Sequence, residues 1–321
     1  MPNQTKRQSF YLDCDTGIDD AMALAYLLAS EKVDLLGIGT VSGNIAAATA
    51  ARNSLALLEL AGRADIPVAI GEHHFTTAPF HGGAPHVHGT NGIGGVDLPE
   101  PTVDVVSESA AEMIVRLASA NPGTLHLLAI GPLRNLAAAL ALEPRLPGLV
   151  KEVTLMGGAA LVPGNITPVA EANIHNDPEA AAAVFAADWF ITMVPLDTTM
   201  ENVLEAADRH ALLASDRPVA RAIGEMLDTY FDFYVGYFGR RTCALHDPLA
   251  AGIAVGDVAF VTAPVVDVTI DTTDGPGRGQ TICELRYRYV GHPEQPGAHV
   301  RVALEVETGF PAKLVAAILT L

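Results

Sequence analysis

Four aspartates, Asp13, Asp15, Asp19 and Asp20, fall within eight residues of the stretch SFYLDCDTGIDDAMAL. They sit where an apolar run gives way to a helical pattern, and there they would repel one another unless a cation or a bound polar ligand compensates them. Carboxylate oxygens are hard donors, so the ion they suit is Ca²⁺ or Mg²⁺ rather than zinc. Helix capping is the competing use of an acid at such a junction; it accounts for Asp19 or Asp20 and leaves the others unexplained. Polar residues follow other apolar runs as well: Asn44, His88 and Asn91, then Asn165, Glu171 and Asn173, then His246 with Asp247. Amides, carboxylates and imidazoles can between them donate to and accept from the vicinal hydroxyls of a sugar. No phosphate cradle accompanies them, since GKS and GKT are absent and no GxGxxG follows the first apolar run. A hydroxyl-rich substrate without phosphate is the expectation.

The elements that must position these residues are strands alternating with helices. SFYLDC reads as a buried strand and DDAMALAYLLAS as a helix, and VDLLGIGT is a second strand that breaks at Ser42, Gly43 and Asn44. The alternation continues through IAAATAARNSLALLELAG, IPVAIG, SESAAEMIVRLASA, TLHLLAIG, PLRNLAAALAL and VKEVTLMGG. It then runs through DPEAAAAVFAA, which starts on an Asp-Pro cap, to WFITMVPLD. Continuous apolar strands between helices predict an α/β fold: one domain over residues 1–321, a mostly parallel twisted sheet with helices on both faces. Ligands in such sheets bind beyond the carboxyl ends of the strands, which is where the polar residues above fall. Residues 72–101 and 159–177 form two long connections of the kind that serve as lids or binding loops. The helix ARAIGEMLDTYFDFYVGYF carries Tyr230, Tyr234 and Tyr237 at spacings that gather on one side. From Pro264 the pattern predicts strands VVDVTI, TICELRYRY and HVRVALEV and a closing helix FPAKLVAAILTL.

The formal charge of −18 excludes a nucleic-acid or anionic-membrane partner, because those need clustered Lys and Arg to displace counterions. Three scattered cysteines, Cys14, Cys243 and Cys283, make no disulfide framework and fit a reducing cytoplasm. The stretch MPNQTKRQSF lacks the apolar core of a leader, and no run reaches the roughly 18 apolar residues that span a bilayer.

DCDTGIDDA, the following VSGN, LMGG, GNITPVAEANIHNDPEAA and the late HDP resemble the signature of the nucleoside hydrolases, which cut the N-glycosidic bond of ribonucleosides to ribose and free base. The likeness runs in order over nearly the whole chain. It implies that Asp15, Asp20 and Asp247 hold Ca²⁺ together with the carbonyl of Ile130, and that Asp15 is the general base on the attacking water. It also implies that Asp19 and Asn173 hold the ribose 2′ and 3′ hydroxyls, with Asp247 near the latter. Asn165 and Glu171 reach the 5′ side, Asn44 and Met156 line the floor, and His88 touches substrate from its loop. His246 is implied as the acid that protonates the leaving base, and the adjacent Asp247 is expected to favour its charged form. Tyr230 and Tyr234 match aromatic positions on the substrate side. The resemblance further implies a homodimer or homotetramer.

Two departures from the family pattern stand out. Thr16 occupies a position where many members have proline, and Ala172 one where many carry an aromatic that packs on the substrate. The loss of that ring leaves the base preference open. Two other readings compete. Asp13-Cys14-Asp15-Thr16 imitates the opening of haloacid dehalogenase-type phosphatases, but Gly17 stands where Thr or Val is expected and the later acidic pair is missing. A non-catalytic ribose or nucleoside binder on the same fold is the other, and the presence of Asp15, Asp20 and Asp247 argues against it.

Overall fold

In the computed structural model, which describes residues 7–321, the acidic stretch lies at the end of the strand next to which the chain reverses its direction of travel across the sheet. β1 (Gln8–Cys14) leads into α1 (Ile18–Ala29), followed by β2 (Val33–Thr40), α2 (Ala47–Leu60) and β3 (Val68–Ile70). A single turn, α3 (Pro85–His88), interrupts the long loop before α4 (Ala110–Ala120), β4 (Leu125–Ala129), α5 (Arg134–Leu142) and β5 (Val150–Met156). Next come α6 (Ala172–Asn176), α7 (Pro178–Ala186), β6 (Ile191–Val194), α8 (Leu196–Thr199), β7 (Val203–Glu205), α9 (Ala206–Leu213) and the long α10 (Pro218–Phe238). The chain ends through β8 (Thr242–Ala244), α11 (His246–Val255), β9 (Phe260–Thr262), β10 (Val265–Val266), β11 (Val268–Ile270), β12 (Thr281–Cys283), β13 (Val300–Val302), β14 (Glu305–Val306) and α12 (Phe310–Ile318).

Eight strands form the main sheet in the order β10-β13-β6-β5-β4-β1-β2-β3, parallel except where β10 meets β13. Side chains alternate across a strand. Phe10 and Leu12 therefore join one apolar core, with α1, α10, α11 and α12, while Tyr11 joins a second, with α4, α5 and α7. Burial on both faces explains the unbroken apolar reading of β1, β4 and β6. The chain moves from β1 outward to β2 and β3, then crosses back to β4 on the other side of β1. The loops leaving β1 and β4 therefore diverge and open a crevice at their carboxyl ends. Among the described residues no helix is long and apolar enough to cross a membrane. Residues 1–6 of the amino-terminal stretch read above lie outside the described residues.

The predicted tail differs from the observed one. VVDVTI divides into β10, which joins the main sheet, and β11, which pairs with β12 in a separate hairpin. HVRVALEV likewise divides into β13 and β14. TICELRYRY is extended only through Cys283; Arg286 then pairs with Glu284 and the guanidinium of Arg288 lies 4.7 Å from the ring of Tyr289, so the segment turns in solvent. Alternation of apolar and charged residues imitates a strand there without a neighbour to pair it.

At Gly39 of β2 an added Cβ would collide with the hydroxyl of Tyr11 and come within 2.7 Å of the Cβ of Ala110. Gly39→Ala is expected to lower the unfolding free energy by about 1–3 kcal/mol through overpacking. Urea denaturation checks this, and an unchanged midpoint would contradict it.

Candidate active site

A cleft of about 810 Å³, counting the part open to solvent, lies over the crevice. Asp19, Asn44, His88, Ile130, Met156, Asn165, Glu171, Asn173, Tyr230, Tyr234, His246 and Asp247 line it. Asp15 and Asp20 stand behind Asn44, whose backbone N–H donates to Asp15 Oδ2 at 2.6 Å and whose side-chain amide donates to Asp20 Oδ2 at 3.2 Å. The turn after β1 and the start of α1 thus bring together with the α11 N-terminus acids that the sequence holds more than 200 residues apart.

Asp20 also accepts from the backbone N–H groups of Gly17, at 2.7 Å, and Asp15, at 3.1 Å, so from the first turn of α1 it reaches back to cap the N–H of the N-cap residue. Capping is therefore part of what Asp20 does. It does not neutralise the group. Burial, then the charge of Asp19, pushes Asp20 up to about 7 against the Gly17 hydrogen bond. Asp15 is raised well above the carboxylate range by burial and then by Asp20; Asp247 is raised by burial and then by Asp19, Asp20 and Asp15. Among the described residues no Lys or Arg pairs with any of these acids. Asp15 Oδ1 and Asp19 Oδ1 are buried with no hydrogen-bond partner.

Those orphaned oxygens fit a hard cation. Carboxylate oxygens of Asp19, Asp20 and Asp247 lie within 4.8 Å of one another, close enough to share one ion. The expected set contained Asp15 rather than Asp19. Asp15 is adjacent, held where an added Cβ on Gly43 would strike its Oδ2 and one on Gly131 would lie 3.0 Å from its Oδ1. The Ile130 carbonyl accepts the side-chain amide of Asn173 at 2.9 Å, and the same amide donates to the Met156 carbonyl at 3.1 Å.

Glu171 is the N-cap of α6. Its carboxylate accepts from the N–H groups of Asn173 (2.9 Å), Gly158 (2.9 Å) and Ile174 (3.2 Å), while burial pushes it up to about 7. It fastens the second long loop and still has lone pairs toward the cleft. Asn165 Oδ1 braces the same turn by accepting the N–H of Ala172 at 3.0 Å. Asn91, by contrast, is absent from the cleft lining: its amide binds Val96, Ile93 and Gly95 and organises its own glycine-rich loop.

On the opposite wall Tyr230 donates to Asp19 Oδ2 at 2.9 Å. His88 Nδ1 accepts the backbone N–H of Ile18 at 3.1 Å, which leaves its proton on Nε2. His246 lies between two hydroxyls, with Nε2 2.5 Å from Tyr234 Oη and Nδ1 2.8 Å from Thr199 Oγ1. The expected source of a charged imidazole is corrected here. Burial dominates and lowers His246 to about 4, and the carboxylate that opposes it is Asp19, not Asp247. Tyr237, grouped with the other tyrosines in sequence, is 54% exposed at the cleft mouth.

Sequence reasoning missed several residues here. Thr199 follows β6 in VPLDTT, the same strand-end position that marked the other candidates. Asn135 and Tyr11 carried no such signal. Yet Tyr11 donates to Asp13 at 2.9 Å, and the Asn135 amide reaches Asp13 at 3.0 Å and the Thr40 carbonyl at 3.0 Å. Asp13 therefore belongs to a buried structural knot, and burial pushes it up to about 7.

Comparison with known proteins places this geometry in context. The sequence model of a family described as inosine-uridine preferring nucleoside hydrolase matches residues 10–310. A protein named probable uridine nucleosidase 2, from Arabidopsis thaliana, is 37% identical over 276 residues, covering 86% of this chain and 83% of the relative. An inosine-uridine preferring nucleoside hydrolase from Crithidia fasciculata is 35% identical over 299 residues, 92% of each chain. The solved structure of a plant nucleoside hydrolase superposes with a TM-score of 0.90 at 31% identity, over 98% of this chain and 99% of that one.

The uncompensated carboxylates predict that a hard divalent cation stabilises the fold. Saturation at about 100 times the dissociation constant should add about 2.7 kcal/mol, read as a rise in melting temperature that a chelator reverses. Asp20→Asn should shrink the rise, and an equal rise in that variant would contradict the assignment.

Proposed function

The chain belongs to the inosine-uridine preferring nucleoside hydrolase family, whose members are N-ribosyl hydrolases, and from that premise we propose that it hydrolyses ribonucleosides with the aid of Ca²⁺. The observation that carries the reading is the buried cluster of acids with two orphaned oxygens over the switch point of the sheet. Family membership removes the phosphatase alternative and makes the chain an enzyme rather than a binding-only relative.

Asp15, Asp20 and Asp247, with the Ile130 carbonyl, would hold the ion, and Asp19 lies close enough to share in it. An ion held there would supply Lewis acidity to a water and positive charge to the sugar hydroxyls. Asp15 takes the proton from the attacking water. Asp19, Asn173 and Asp247 hold the 2′ and 3′ hydroxyls, and Asn165 and Glu171 the 5′ side. Asn44, Met156, His88, Tyr230 and Tyr234 complete the walls around the ribosyl group and base. Carboxylates facing the anomeric carbon stabilise its oxocarbenium character as the bond to the base breaks.

His246 protonates the departing base. Burial keeps the resting imidazole neutral, so His246 first takes a second proton from solvent and then donates from the imidazolium, returning to the neutral ring as the bond to the base breaks. Ala172 leaves the cleft without the ring that many relatives carry, and nothing in the lining singles out a purine or a pyrimidine. A homodimer or homotetramer in a reducing cytoplasm belongs to the same reading, in keeping with three free cysteines.

Asp15→Asn is expected to reduce base release from uridine and inosine by about 10²-fold or more. A near-normal rate would remove Asp15 as the base. For His246→Ala, a loss of about 10²-fold is expected on nucleosides, with little change on a nitrophenyl riboside, whose leaving group needs no proton. Equal losses on both substrates would exclude His246 as the acid.

A further inference from the structure

We propose that Thr199 is a positioning residue that fixes the orientation and tautomer of His246, holding the ring proton on Nε2. The inference rests on the reading of His246 as proton donor for its catalytic consequence, but its structural content stands on hydrogen bonds alone.

Thr199 ends α8, the short helix that leaves β6, and its side chain is completely buried. Among the described residues its hydroxyl has a single polar partner, Nδ1 of His246 at 2.8 Å. The neighbouring Thr198 instead returns its hydroxyl proton to the Pro195 carbonyl at 3.2 Å, so the two threonines of LDTT have different uses. A buried O–H with one neighbour must donate to it or leave its proton unbonded, at a cost of about 1–3 kcal/mol. Donation from Thr199 makes Nδ1 the acceptor. A neutral imidazole then carries its hydrogen on Nε2, aimed at Tyr234 Oη 2.5 Å away. The reverse assignment leaves the Thr199 proton unbonded in a fully buried position. The chosen one frees the Tyr234 O–H to point into the cleft that its ring lines.

The backbone keeps the two partners in register. Leu245, immediately before His246, donates its N–H to the Asn202 carbonyl at 2.8 Å, and the Asn202 amide returns to the Thr198 carbonyl at 2.9 Å. α8 is thus tied to the N-terminus of α11 independently of the Thr199 side chain. Thr199→Val is nearly isosteric and removes only the hydroxyl, while Thr199→Ser keeps it.

The test combines ¹⁵N NMR of histidine-labelled protein with kinetics, the His246 signals being assigned by their loss in His246→Gln. The wild type and Thr199→Ser should show His246 protonated on Nε2 at neutral pH. Thr199→Val should show the Nδ1–H form or an exchanging mixture, with thermal denaturation confirming that it folds. An Nδ1–H wild type, or a Thr199→Val ring still fixed as Nε2–H, would overturn the inference. In kinetics, Thr199→Val should lose about tenfold or more on nucleosides and less than about threefold on a nitrophenyl riboside, with Thr199→Ser restoring the former. A tautomer change without that split supports the role of Thr199 and counts against His246 as the acid, so the two failures are distinguishable.

Discussion

Mutual repulsion among buried carboxylates is the constraint on which the rest of this structure depends. Asp15, Asp19, Asp20 and Asp247 are each at most 5% exposed, and among the described residues no lysine or arginine pairs with them. What it offers is a few neutral donors: backbone N–H groups of Gly17, Asp15 and Asn44, the Asn44 amide and the Tyr230 hydroxyl. Such donors orient carboxylates but do not cancel their charge, which is why burial makes Asp15, Asp20 and Asp247 weaker acids than free carboxyls. An arginine in the cluster would satisfy the charge and close the site. Its absence keeps the acids available to a cation and to the hydroxyls of a substrate.

The fold delivers that arrangement by topology. β1 and β4 are adjacent in the sheet but their following loops diverge, so the acids after β1 face Ile130 after β4 across an open crevice. α11 then brings Asp247 in from a point far along the chain, and α6 brings Asn173, with Glu171 capping that helix from within the site. Caps here have two uses. Glu171, on the cleft wall, and Asp20, just behind it, satisfy backbone N–H groups at helix starts while belonging to the site, so damage to either would disturb local structure and chemistry together.

The sheet, its direction and the carboxyl-end location of the site were legible because β1, β4 and β6 are buried on both faces and so read as near-continuous apolar runs. The tail was less legible, since Glu284, Arg286 and Arg288 alternate with apolar residues as strand residues do but have no partner strand. Within the site, Asp19, Glu171, Asn173 and His246 stood out by residue type and position. Thr199 and Asn135 did not, because a hydroxyl or amide becomes informative only when its partner is known. The state of His246 was misjudged for a related reason. Sequence adjacency made Asp247 its natural electrostatic partner, whereas folding buries the ring and puts Asp19 nearer in effect.

Protein stripped of divalent ions, with the metal content verified, would be given uridine and inosine, and free base and ribose followed by chromatography before and after Ca²⁺ is restored. Base release that falls to background on stripping and returns with Ca²⁺ is the predicted result. Undiminished release by verified metal-free protein would contradict the claim that the carboxylate cluster works as a cation site for N-ribosyl hydrolysis.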